Sequence, residues 1–140
     1  GQGSGWEDLA ERARRVAGVE LIPAVSAEEA DRWMARASAT LASLRPGGYD
    51  YAYPTKILAS LAQGTPVIYA GPGQAGRDVR EAGLGAACGL DADQVAEAMV
   101  AVASGTLNWV GEERVRAWVR EHRSVSASSR AAAAVVRSAL

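Results

Sequence analysis

Pro54, Thr55 and Lys56 carry the strongest chemical signal in this chain. Proline suits the first position of a helix, where its missing N–H would have had no partner and its fixed φ is already helical. The spacing therefore predicts a helix opening at Tyr53-Pro54, with the backbone N–H groups of Thr55, Lys56 and Ile57 unbonded at the positive end of its dipole. A hydroxyl and an ammonium stand beside them, so the chemistry offered is the holding of an anion such as a diphosphate. Lys56 is the basic residue best placed for it, because a cation in a first turn is unfavourable unless an anion compensates. Arg45, in the loop Arg45-Pro46-Gly47-Gly48, is the next candidate. Tyr49, Tyr51, Tyr53 and Tyr69 cluster around the same loop, where one could stack on a base or sugar and any could equally be packing.

Other chemistry is absent from the pattern. The single histidine, His122, falls at the end of an expected helix, where it complements the dipole on the surface. The single cysteine, Cys88, lies in the small apolar run Gly85 to Leu90 and reads as a buried strand residue. No group of His, Cys, Asp and Glu has metal-ligand spacing, and no Ser/His/Asp set is suggested. Gly1-Gln2-Gly3-Ser4-Gly5 either closes a preceding strand or is left from cloning, and Trp6 stands where a dinucleotide fingerprint needs its third glycine.

These residues need elements to position them. Ile57, Leu58, Leu61 and Ala62 form one apolar stripe, Gly64 supplies the stop, and Pro66 bars continuation. Val67 to Ala70 then reads as a buried strand, followed by the loop Gly71-Pro72-Gly73, a helix near Ala75 to Ala82, and a strand at Gly85 to Gly89. Upstream, Ser4 with Glu7 has capping-box spacing before a stripe of Trp6, Leu9, Ala10, Ala13, Val16 and Ala17, expected to lie on a sheet. Asp8 with Arg12 and Glu11 with Arg15 are i,i+4 pairs on its other face. Val19 to Pro23 reads as a strand. Ser26 and Glu29 form a second capping box, opening a helix with Ala30, Trp33, Met34 and Ala37 inward, and Ala39 to Leu44 is a further strand. Asp91 with Gln94 caps a helix carrying Val95, Ala98, Met99 and Val102. Two helices close the chain, one marked by Val115, Trp118 and Val119, the other alanine-rich from Ala127 to Leu140. Strict alternation predicts an α/β, Rossmann-like parallel sheet with helices on both faces, in which ligands bind beyond the carboxyl ends of the strands.

The 140 residues suit one domain, with no repeat and no linker. With 15 basic and 16 acidic residues there is no footprint for nucleic acid or an anionic membrane. No apolar run approaches membrane-span length, no signal peptide opens the chain, and a lone cysteine fits a reducing compartment. A soluble, cytoplasmic setting is expected. Abundant alanine and arginine without phenylalanine reflects the base composition of a genome, here expected to be bacterial.

Pro54-Thr55-Lys56-Ile57-Leu58, then Ala62-Gln63-Gly64-Thr65-Pro66-Val67-Ile68, then Gly83-Leu84-Gly85, resembles the donor-binding C-terminal domain of two-domain (GT-B) glycosyltransferases of the retaining group-1 kind. The resemblance covers most of the chain and is specific as an ordered set, since a Gly-Thr-Pro-Val turn also occurs in other glycosyltransferases and in sugar-nucleotide epimerases. It implies a domain lacking its first strands, part of a longer enzyme, whose partners are a nucleotide-diphosphate sugar and an N-terminal acceptor domain that could also bring it to the inner membrane. No cofactor is implied. Alone, the chain would bind donor without turning it over, and open sheet strands would offer a route to a homo-oligomer. By the same resemblance Gly3 approaches the diphosphate, Pro23, Ala24 and Val25 form a backbone edge for the base, and the turn Glu121 to Ser126 leads the last helices back toward the other domain. The family's usual pair of glutamates falls on Tyr51 and Ala59, the sugar and ribose positions, with Asp50 one residue out of register. Three readings stay open: a donor-binding half of a glycosyltransferase, a binding or interaction module without catalysis, and an epimerase fragment.

Overall fold

The computed structural model describes residues 5–45, 47 and 51–138. Three short strands, β1 (Thr40–Ser43), β2 (Val67–Ala70) and β3 (Gly85–Cys88), form a parallel sheet in the order β1-β2-β3. Thr40 pairs with Val67, and Val67 pairs with Gly85, so sequence order and spatial order agree. The chain is an α/β protein with helices on both faces of this sheet.

Central strand β2 is buried along its whole length, as its unbroken apolar run requires. Val67 and Tyr69 share one face with Ala42 of β1. Against that face pack Ile57 and Leu61 of α3 (Thr55–Ala62), Ala75 and Val79 of α4 (Gln74–Glu81), and Val115 of α6 (Glu112–His122). Ile68 and Ala70 face the other way, toward α5 (Ala92–Ala103), whose Ala98 is buried. Each large aliphatic side chain fully withdrawn from water contributes about 1.5–3 kcal/mol. These few residues therefore carry most of the hydrophobic stabilisation.

The turn joining α3 to β2 is locked by hydroxyls. Gly64 takes φ 83, in the left-handed region that favours glycine, and a Cβ there would also crowd the Glu112 and Arg116 side chains of α6. Ser60, fully buried, accepts from Thr40 Oγ1 at 2.7 Å and donates to Thr65 O at 3.0 Å. Thr65 Oγ1 in turn donates to Met34 O at 2.7 Å, tying the end of α2 (Ala27–Arg36) to the start of β2. The Gly-Thr-Pro turn is thus a structural joint. The inward stripe of α3 is Ile57, Ser60 and Leu61, whereas Ala62 is exposed.

The N-terminal third departs from expectation. Val19 to Pro23 is not a strand, so the sheet has three strands among the described residues. The run is short, carries Glu20 at its second position, and ends in a proline that can donate nothing to a ladder. With no strand beneath it, α1 (Trp6–Ala13) buries none of its residues and does not lie on the sheet as its stripe suggested. Its N-cap is Gly5, without a side-chain bond; Ser4 lies outside the described residues. Of its two expected charge pairs, Glu11–Arg15 forms at 2.5 Å. On α2 the Ser26 hydroxyl accepts from Glu29 N as expected, but Trp33 is half exposed rather than inward. Asp91 caps α5 through Gln94 N at 3.0 Å, also as expected. The last helix, α7 (Val125–Ser138), buries Ala127.

Candidate anion-binding site

The helix that opens beyond β1 is α3, and its cap is Pro54, with φ −63 and ψ 117. Proline therefore sits one residue earlier than its usual first helical position, in extended rather than helical backbone. No side chain caps the helix, no acid lies in its first turn, and Thr55 and Lys56 are both exposed there. The start of α3 is thus an open, positively polarised end with a hydroxyl and an ammonium on it. Ile57 plays a different part from the one expected. Its side chain is fully buried and its N–H donates to Pro54 O at 3.1 Å, so it anchors the turn and offers no free donor.

Arg45 is exposed in the loop leaving β1, on the same carboxyl edge of the sheet from which the chain reaches α3. Ala59 is half-buried one turn into α3 and Tyr51 is exposed, so neither brings an acid to the site. Pro23, Ala24 and Val25 are exposed, and they precede α2 without a strand before them. Gly3, Tyr49 and Asp50 lie outside the described residues. Tyr69 is fully buried, with its hydroxyl donating to Pro72 O at 2.8 Å, so it stacks on no ligand.

Beside the α3 start lies a charged cluster that the sequence did not announce. Arg123, the C-cap of α6, forms an ion pair with Asp78 of α4 and lays its guanidinium over the Tyr53 ring, 4.6 Å from the centroid. It also reaches the Trp118 ring at 5.6 Å. Gln74 Nε2 donates to the other Asp78 oxygen at 2.6 Å. Burial alone would raise the Asp78 pKa; the Gln74 hydrogen bond and the Arg123 guanidinium outweigh it and hold the carboxyl below its ordinary range. For Tyr53, burial and the Asp78 charge push the phenol well above its ordinary value, with Arg123 opposing. The Tyr53 hydroxyl and the Asp78 carboxyl also interact directly, which raises the one pKa and lowers the other, while Arg123 Nε is shut from water without a hydrogen bond of its own.

Asp78 gives a signed pH dependence. A carboxyl whose folded pKa is lowered stabilises the fold above its unfolded value, about 3.9, and loses that contribution as pH falls through the folded value. Asp78→Asn should cost about 1–3 kcal/mol near neutrality. In urea titrations from pH 7 to 2 the gap between wild type and variant should close below about pH 4. A gap constant across that range would remove the ion pair from the account.

No family model matches the chain, and neither a curated protein nor a solved structure matches it. The site is therefore read from its own geometry. Among the described residues no set of His, Cys, Asp and Glu could hold a metal, and no helix is long and apolar enough to cross a membrane. His122 is exposed at the end of α6, against the Trp118 ring at 5.4 Å. Cys88 is half-buried at the end of β3 rather than inside the core, and burial followed by the Glu97 charge raises its thiol pKa, which suppresses the reactive thiolate.

Proposed function

We propose that this chain is the nucleotide-sugar-binding domain of a GT-B glycosyltransferase, with the donor's diphosphate held at the start of α3. The observation that carries the reading is the uncapped opening of α3 on the carboxyl edge of a parallel sheet, with Thr55 and Lys56 exposed in its first turn. There the amides and Lys56 would stabilise the charge that grows on the diphosphate as it leaves the sugar. Arg45, arriving on the same edge, would supply a second cation. The acceptor belongs to another domain, so the chain binds donor without transferring its sugar.

A second reading, binding without transfer in the whole protein as well, is favoured by Tyr51 and Ala59 standing where the resemblance puts acids. The epimerase reading gains no residue of its own from the site.

Calorimetric titration with UDP, GDP, ADP and dTDP tests the proposal. One of them should bind saturably, and Lys56→Ala should weaken it about tenfold, the weight of one charge-assisted hydrogen bond. Silence toward all of them would count against a nucleotide site. Binding without hydrolysis or transfer in the intact enzyme would favour the second reading.

A further inference from the structure

Helix α6 touches α3 at both ends. At its start, Arg116 Nη2 donates to Gln63 O at 2.8 Å, capping a carbonyl at the end of α3 that has no helical partner. At its end, Arg123 covers the ring of Tyr53, two residues before the first helical residue of α3. The two helices therefore run in opposite directions, and Val115, next to Arg116, packs into the core. Arg123 is set at its height by the break between α6 and α7. The backbone leaves the helix at φ −131, and Ser124 accepts from Ala127 N at 3.1 Å while donating to Arg120 O at 2.7 Å. Asp78 fixes the guanidinium from the α4 side.

We infer that Arg123 is a positioning residue for the open end of α3: by clamping Tyr53 between α6 and α4 it sets the direction in which the Thr55 and Lys56 amides point, and so couples anion binding to the seating of the α6–α7 break. The inference takes the anion-site reading as its starting point. Its geometry consists of a planar cation stacked on one ring and paired with one carboxylate, directly beside the first turn. A lysine at 123 would keep the charge and lose the plane.

The test uses the whole chain labelled with ¹⁵N. Amide resonances of Thr55 and Lys56 are compared without ligand in wild type, Arg123→Ala, Arg123→Lys and Arg116→Ala. Arg123→Ala should move both resonances and weaken nucleoside diphosphate binding about tenfold. Arg123→Lys should restore both in part. Arg116→Ala, which frees the far end of α3, should instead move Gly64 and leave binding within about twofold. Unmoved Thr55 and Lys56 amides in folded Arg123→Ala overturn the inference, as does an equal movement in Arg116→Ala. Should Arg123→Ala fail to fold, Arg123→Lys decides in its place by the same two resonances. If wild type binds no nucleoside diphosphate, the donor-site reading fails, whereas the ligand-free resonances still decide whether Arg123 orients the helix start.

Discussion

Gly85→Ala is expected to leave the chain unfolded, or to cost more than about 4 kcal/mol. Gly85 opens β3 at φ 147, and a Cβ built there lies 2.0 Å from the Val67 carbonyl oxygen and 2.7 Å from its nitrogen. No rotamer relieves this, because both atoms belong to the backbone of the central strand. Val67 is held from the same side by its N–H to Leu84 O at 3.1 Å, so making room means breaking the β2–β3 ladder where it begins. Straining the angles instead costs several kcal/mol for the displacement required. Thermal or urea unfolding of the variant measures this directly. A loss under about 1 kcal/mol, the ordinary size of a tolerated substitution, would mean that β3 does not lie this close to β2.

What the sequence revealed follows a physical line between local and distant causes. The caps at Ser26 and Asp91 and the stop at Gly64 were legible because each is closed within a few residues by a side chain or a glycine φ. The strands β1 to β3 were legible as short apolar runs between turn residues. Val19 to Pro23 has the same appearance and fails, because a strand exists only through a partner, and a run of this length cannot say whether one is there. Ser60 could have been found. It lies one helical turn from Ile57 on the buried side, and a serine in that place needs partners, here Thr40 and Thr65. The Arg123 cluster could not, since Tyr53, Asp78 and Arg123 stand far apart in the chain and none has an unusual neighbour. Only the packing of α6 along α3 brings them together. For the candidate site, then, the sequence marks the exposed first-turn residues Thr55 and Lys56, while the contacts proposed to orient them are tertiary.

Tyr69→Ala is expected to cost about 3–5 kcal/mol, the range for losing a buried aromatic ring, and Tyr69→Phe about 1 kcal/mol, the net weight of one hydrogen bond. Among the described residues its side chain is the largest fully withdrawn from water, and it lies on the central strand. It packs so closely on α4 that a Cβ on Gly76 would come within 3.4 Å of it. Alanine would leave a cavity walled by β2 and α4, two elements fixed by the sheet and unable to collapse far. Its hydroxyl has a separate task. By donating to Pro72 O at 2.8 Å it ties down the Gly71-Pro72-Gly73 loop that leaves the carboxyl end of β2 and starts α4. The two substitutions therefore separate packing from tethering. Urea unfolding should rank alanine far below phenylalanine, whereas hydrogen exchange at Gly71 and Gly73 should quicken in both. If phenylalanine left those amides as slow as in wild type, the loop would be held by its backbone alone. If it quickened them, the core of this sheet would reach through one hydroxyl to the edge where the anion is proposed to bind, and tightening that loop would be a task of the same residue that fills the core.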